Sequence, residues 1–375
     1  MMRLVSFISA IWRNHNQIPD LPRLLTFLVT FRCNLRCVMC DSWKKSATND
    51  LTTDEIQSIF CQFPKMDFVR LSGGEPFLRG DLLDIAHMVQ SILKPIGLHI
   101  TTNGILTDRI IHFCKERHKD THLYLLVSLD GVGNTHNAIR GRSDAWQHAT
   151  RTIEALAPLQ KQLRLHLGIN QTILNEDGLK DYHRLKEYLK PLGIQNNVVF
   201  GYDESATYHT NNQISIRQDA TGQYNSFGRF DDEQLESFFK AVQKDLRHYP
   251  RLMRLAKYYY LKGIKNRLLH NIGFPNPKCV ALNSHLRLMP DGTIPTCQFN
   301  STRIGNLRHQ DLTSIWFGHT IAKQRQWVNQ CPGCWAECEI LPNALYSGDI
   351  EGLIRTQKSW RSNLPETTGE TDYAS

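Results

Sequence analysis

Between residues 24 and 203 the sequence alternates short apolar runs with amphipathic stretches, and this rhythm restricts the fold more than any other feature. "LLTFLVTF" (24–31), "FVRLSGGEP", "LHITTNG", "LYLLVSLDG", "LRLHLGINQTIL" and "NVVFGYD" have the length and apolar content of buried strands. Helical patterns separate them: "LTTDEIQSIF", with Thr52 or Thr53 as N-cap, "DLLDIAHMVQSIL", then 107–118, 144–157 and 178–190. About six strand–helix units at this spacing predict an α/β fold on a parallel sheet. Such sheets carry function at the C-terminal ends of their strands. "FRC", "SGGEP", "TTNG", "SLDG" and "GYD" each follow directly on an apolar strand. Five such segments in register predict one site.

The first of these segments opens "FRCNLRCVMCDSW", with Cys33, Cys37 and Cys40 spaced C-x3-C-x2-C. Clustered thiolates select zinc or iron–sulfur clusters. Structural zinc motifs bring paired C-x2-C units and four ligands. Here no fourth Cys or His stands beside the three. A cubane held by three thiolates leaves one iron without a protein ligand, open to a substrate or cofactor. A structural zinc site completed from elsewhere is the alternative.

With this loop after the first strand and "SGGEP" after the second, the chain resembles the radical S-adenosylmethionine (SAM) superfamily. The resemblance implies a partial (β/α)6 TIM-like barrel of parallel strands. It implies a [4Fe–4S] cluster on Cys33, Cys37 and Cys40, whose open iron chelates SAM. One electron then cleaves SAM to a 5′-deoxyadenosyl radical that abstracts hydrogen from the substrate. Gly73 and Gly74 would let the backbone approach the ligand closely. Glu75 would accept a hydrogen bond from the methionine ammonium. In "VSLDGVGNTHNAIRG" the resemblance places Ser128 and Asp130 near the SAM ribose and pairs Arg140 with the SAM carboxylate. Asn103 in "TTNG" is a further cofactor contact or simply shapes its turn. The residue before the third cysteine is often aromatic in this family; here it is Met39, whose polarisable thioether suits the same adenine contact. Trp43 supplies further surface.

A second cysteine group lies near the end. "CVALNSHLRLMPDGTIPTC" carries Cys279 and Cys297, and "CPGCWAEC" carries Cys331, Cys334 and Cys338. "MPDG" reads as a hairpin turn that brings two strands and their cysteines together. With the intervening "RIGNLRHQDLTSIW", the group resembles SPASM/twitch auxiliary-cluster domains. Five cysteines close one four-thiolate cluster with one to spare, or one closed and one incomplete cluster, but not two four-cysteine sites, which favours the shorter twitch type and an auxiliary [4Fe–4S] cluster. Cys279 and Cys297 are the surest ligands; the sequence leaves open which two of the last three join them. A zinc ribbon is the alternative. Cys61 and Cys114 fall in helical patterns and read as packed thiols.

These readings divide the chain into an N-terminal helical extension (1–23), the partial barrel (24–203), a polar loop with connecting helices (204–270), a small α+β auxiliary-cluster domain (271–345) and a partly disordered tail (346–375). Residues 2–14 read as a short amphipathic helix packed on the barrel end rather than docked on a membrane. Lys+Arg 44 against Asp+Glu 36 leaves a net charge of +8 spread along the chain without a basic run. Nucleic acid is therefore not expected as a partner, and the charge permits an anionic one such as a nucleotide, a redox protein or a membrane surface. No apolar run reaches transmembrane length and no cleavable signal is evident, so the reading is a cytoplasmic protein with reduced thiols.

The function expected is hydrogen abstraction from a peptide or a small natural-product or sugar-like molecule, for a net oxidation or bond formation assisted by the auxiliary cluster. A flavodoxin- or ferredoxin-type reductant and possible delivery of a peptide by a separate carrier or recognition protein belong to that expectation. Asp203, after the sixth strand, and Asp291, in the auxiliary segment, are the acid–base candidates. A non-catalytic iron–sulfur or zinc protein for electron transfer or assembly is the competing class; it would not need Glu75, Ser128 or Arg140.

Overall fold

A computed structural model describes residues 2–201, 207, 230–249, 251–349 and 352–354. Asp203, nearly all of the polar loop 204–232 and the tail beyond residue 354 lie outside the described residues. Seven strands form one parallel sheet: β1 (Leu24–Thr30), β2 (Phe68–Gly73), β3 (Gly97–Thr102), β4 (His122–Ser128), β5 (Leu165–Ile173), β6 (Gln195–Phe200) and β7 (His285–Leu288). Their order is β6-β5-β4-β3-β2-β1-β7. The fold is α/β, a partial TIM-like barrel.

Twelve helices are described: α1 (Met2–His15), α2 (Thr53–Phe60), α3 (Leu82–Met88), α4 (Thr107–Glu116), α5 (Asn134–Arg140), α6 (Ala145–Leu156), α7 (Glu176–Leu189), α8 (Asp232–Asp245), α9 (Arg251–His270), α10 (Leu312–Trp316), α11 (His319–Gln330) and α12 (Glu337–Ser347). α2 to α7 occupy the connections between the first six strands. Every residue of β1 is buried, as a parallel strand covered on both faces requires. α2 starts on a capping box: Glu55 N donates to the Thr52 side chain, and Thr52 N donates to the Glu55 carboxylate. Thr52, not Thr53, is therefore the cap.

The seventh strand comes from the segment between Cys279 and Cys297. β7 pairs with β1, Leu24 opposite His285 and Phe27 opposite Leu288. The turn at 289–292 exists, with Gly292 N donating to Met289 O and Met289 N to Thr293 O. The strands it joins belong to different sheets, because β8 (Thr293–Pro295) pairs antiparallel with β9 (Arg303–Asn306). "HLRL" does not look like a buried strand, yet all four residues are buried. His285 meets Thr26 Oγ1 at 2.8 Å, and Arg287 Nη2 donates to Glu339 Oε1 at 2.6 Å. Polar side chains with buried partners hide the strand from an apolar pattern.

α1 packs beside the start of β1 and the segment before β7, at the N-terminal end of the barrel. Phe7 meets Tyr346 edge to face at 5.2 Å, and Asn14 Nδ2 donates to Ser284 Oγ at 2.8 Å. Val5, Ile8 and Trp12 on its other side are exposed. No helix among the described residues is long and apolar enough to cross a membrane.

The arm carrying the last cysteines is held by one aromatic residue. Trp335 is fully buried, stacks on Tyr259 and Tyr260, lies 3.9 Å from the Arg267 guanidinium and donates from Nε1 to Tyr260 O. Gly263 on α9 makes the room: a Cβ there would come within 1.9 Å of the indole. Trp335→Ala should destabilise the protein by about 3–5 kcal/mol, the usual cost of emptying such a site. Thermal unfolding measures it; an unchanged midpoint would mean that this packing does not hold the arm.

Candidate active site and auxiliary cysteine cluster

The cysteine loop leaves the end of β1 and lies against α5. Arg36 N donates to Arg140 O at 3.2 Å, and Val38 N to Ile139 O at 2.9 Å. Gly141 sits at φ 65°, and a Cβ there would meet Arg36 O at 2.4 Å, so only glycine lets the two backbones come this close. The result is a cavity of about 240 Å³ at the strand ends, walled by all three cysteines. Met39 and Trp43, Gly73 and Gly74, Asn103, Ser128 and Arg140 line it as well.

Glu75 and Asp130 are not in that wall. Glu75 is 1% exposed and accepts from Asn103 N (2.7 Å), Thr102 Oγ1 (2.9 Å) and Phe77 N (3.1 Å). Burial pushes its pKa up to about 7, against these donors, which lower it. The carboxylate ties the β2 loop to the end of β3. Asn103 does shape its turn, with Oδ1 accepting from Ile105 N, and its Nδ2 also reaches Asn34 in the cysteine loop at 2.7 Å.

The two glycines make their close approach to protein backbone. A Cβ on Gly73 would meet Thr30 O at 2.2 Å, and one on Gly74 would meet Arg32 O at 2.3 Å. Gly74 N donates to Thr30 O and Glu75 N to Arg32 O, both at 2.8 Å. The glycines seat the cysteine loop on the β2 loop.

Asp130 is fully buried and lies 2.6 Å from Arg140 Nε. Its Oδ1 accepts from Thr172 N at 3.0 Å. Arg140 in turn points Nη1 at the Cys37 sulfur, 3.6 Å away. Asp130 thus stands behind Arg140 and aims it at the cysteine loop.

The second cysteine group converges in part. Cys279, Cys297, Cys331 and Cys334 lie close enough for their charges to interact: Cys279 with Cys297 and Cys331, Cys297 with Cys331, and Cys334 with Cys279 and Cys297. Burial, more than these neighbours, raises their thiol pKa values, that of Cys297 to about 12. Cys338 is engaged differently. Its Sγ donates to Gln298 Oε1 at 3.0 Å, and its carbonyl accepts from Arg70 Nη1.

Sequence reasoning missed the group behind these thiols. Glu339 is 3% exposed; burial would raise its pKa, but His285 and Arg287 hold it well below the usual carboxylate range. Its place next to Cys338 was the one available signal. Asp291, the second acid–base candidate, accepts from Thr293 N and Oγ1, both at 3.0 Å, and so fastens the turn before β8.

Both cysteine sets fit multi-iron clusters. Among the described residues no group of three or more Cys, His, Asp or Glu closes around a single metal ion. The first set faces open space with three thiols and a guanidinium aimed at one of them; the second gathers four thiols. The family profile of the radical SAM superfamily matches residues 27–177, and that of the SPASM iron–sulfur cluster-binding domain matches 279–338.

The chain belongs to the radical SAM superfamily. It is an enzyme, and its cofactors are a [4Fe–4S] cluster with SAM and an auxiliary iron–sulfur cluster. It is similar to the AdoMet-dependent heme synthase of Methanosarcina barkeri, 25% identical over 335 residues, 85% of this chain and 88% of that protein. The mycofactocin maturase MftC of Mycobacterium tuberculosis is 31% identical over 143 residues, 37% of this chain and 35% of that one. The radical SAM fold is shared with Streptococcus suis SuiB bound to S-adenosylmethionine (TM-score 0.57, 17% identity, 84% of this chain and 70% of that chain). It is also shared with anSMEcpe bound to AdoMet and the Cp18Cys peptide (TM-score 0.55, 15% identity, 91% and 99%).

The seat of the cysteine loop can be tested with two glycines. Gly74→Ala should cost about 1–3 kcal/mol, the range for forcing atoms into a filled site, and lower the iron bound at the first cysteine set. Gly80→Ala has nothing within 4 Å of its new Cβ and should stay within about 0.5 kcal/mol of wild type. Equal melting temperatures and iron contents for the two variants would contradict the seat.

Proposed function

We propose that Cys33, Cys37 and Cys40 hold the SAM-binding cluster, that Cys279, Cys297, Cys331 and Cys334 hold the auxiliary one, and that the enzyme oxidises a substrate bound between them. The observation that carries this is the pairing of two cysteine sets of different design: one with three thiols facing a cavity at the strand ends, the other with four thiols gathered together. When bound, the first cluster supplies the electron that cleaves SAM to a hydrogen-abstracting 5′-deoxyadenosyl radical.

The chain's own residues then have distinct tasks. Arg140 presents a fixed positive charge to Cys37 and to the SAM carboxylate, and Asp130 positions it. Ser128 and Asn103 line the SAM cavity, and Met39 with Trp43 gives the adenine an apolar and polarisable wall. Glu75 and the two glycines hold the loops that form this cavity; the Glu75 carboxylate, close behind Asn103, is also the acceptor toward which the SAM ammonium is drawn. Cys338 anchors the arm through Gln298 rather than ligating iron. Asp291 shapes the turn before β8 and is not needed as a base.

The substrate reading has two supports. SuiB was crystallised with its precursor peptide SuiA, and anSMEcpe with the Cp18Cys peptide. The relative matched along nearly its whole length is a heme synthase, which favours a carboxylated macrocycle as the second substrate class. A flavodoxin- or ferredoxin-type donor in the cytoplasm would supply the electron, and a peptide would come free or on a separate carrier protein.

Iron analysis tests the ligand assignment. Reconstituted protein should carry about eight irons, and about four when Cys33, Cys37 and Cys40 are all Ala, because each cubane holds four. Cys338→Ser should keep the second cluster, whereas Cys331→Ser or Cys334→Ser should lose it. Loss with Cys338→Ser and retention with the other two would overturn the assignment.

A further inference from the structure

A second cavity, of about 390 Å³, opens between the first cysteine loop and the auxiliary strands. Phe31 and Lys45 form one side of it, and Asp291, Cys297 and Arg303 form part of the other. It therefore touches the segments that carry both cysteine sets.

Lys45 is placed unusually for a lysine. Its Nζ donates to Thr207 O at 2.7 Å and lies 4.8 Å from the Phe31 ring centre. Burial lowers its pKa, with Cys40 and Asp41 pulling the other way. Among the described residues no carboxylate comes within 4.0 Å of this ammonium. Of the other partly buried lysines, Lys186, Lys257 and Lys265 each have one, at 2.6, 2.6 and 2.7 Å, and Lys262 does not. The adjacent Lys44 takes Asp41 at 2.7 Å. Asp291, the carboxylate in the cavity wall, is occupied by Thr293 and lies 4.0 Å from Arg303. An ammonium that donates to one carbonyl has two N–H groups left, and a charge withdrawn from water gains most from a charged partner.

We propose that Lys45 takes a carboxylate of the substrate and, with Arg303 at the rim, holds it between the two cysteine sets. A singly charged carboxylate matches one ammonium that has Asp291 in the same wall. The inference rests on the radical SAM reading above and adds the substrate's charge to it. Two sources share this chemistry: an acidic side chain or C-terminus of a peptide, and a propionate of a porphyrin.

The test uses the reconstituted two-cluster protein at fixed ionic strength and two probe pairs. One is coproporphyrin III and its tetramethyl ester. The other is a Glu-containing peptide and its Gln counterpart with an amidated C-terminus. In at least one pair the acid should bind about tenfold or more tightly than its neutral form, a gap of about 1.4 kcal/mol. The pair that responds identifies the source. The gap should close in Lys45→Gln and persist in Lys45→Arg; Asp291→Asn, which removes the competing carboxylate, should widen it. Circular dichroism and iron content establish that the variants are folded. No binding of either acid, equal binding of acid and neutral forms, or an undiminished gap in Lys45→Gln would overturn the proposal. Wild-type cleavage of SAM, measured in parallel, separates the two claims: cleavage with charge-blind binding sinks only the carboxylate subsite, and no cleavage sinks the enzyme reading itself.

Discussion

The first cysteine loop stays in place because two stretches of backbone run closer to their neighbours than any side chain would allow. Thr30 and Arg32 carbonyls accept from the amides of Gly74 and Glu75, and Arg36 and Val38 donate to the end of α5. Gly73, Gly74 and Gly141 each face a backbone oxygen that a Cβ would overlap. Everything in the cavity depends on this seat. The Glu75 carboxylate, held by three donors from β3 and its own loop, locks it from behind. Asp130 then aims Arg140 at a thiol whose position the seat has already set. Order of this kind, established before any ligand arrives, is what lets a site bind a cofactor in one geometry.

The auxiliary segment is integrated with the barrel through buried polar contacts as well as apolar ones. β7 extends the barrel sheet beside β1, and its two polar residues meet Thr26 and Glu339. Gln298 lies between Arg287 and Cys338. On the surface side, the Arg308 guanidinium joins Glu55 of α2 and Asn49. Buried ion pairs of this sort add little net stability, since desolvation offsets much of their attraction. Their geometry is exacting, however, and that suits a segment proposed to hold four thiols at a fixed place relative to the barrel.

Much of this was legible beforehand. Strand-to-helix rhythm predicted the parallel sheet, and motif spacing located both cysteine sets, because periodicity and local turn chemistry are properties of contiguous residues. The rest depends on partners distant in sequence. β7 was missed since His285 and Arg287 look like surface residues until Glu339 is placed beside them. The contact of the glycines with Thr30 and Arg32 could not be read from "SGGEP" alone. The buried pair of Asp130 with Arg140, behind the cavity wall, could not be read from "SLDG" either. The proposed choice among Cys331, Cys334 and Cys338 rests on the course of the 331–338 arm around Trp335. Lys45 drew no notice because it sits beside Lys44, an ordinary exposed residue.

The central claim is that the cavity at the strand ends brings SAM to a reducible cluster. Anaerobic, reconstituted protein should be reduced with dithionite and mixed with SAM, and 5′-deoxyadenosine then quantified over time. The account predicts deoxyadenosine beyond one equivalent per chain, and none when Cys33, Cys37 and Cys40 are all Ala. Fully loaded, reduced wild-type protein that forms no deoxyadenosine would contradict it.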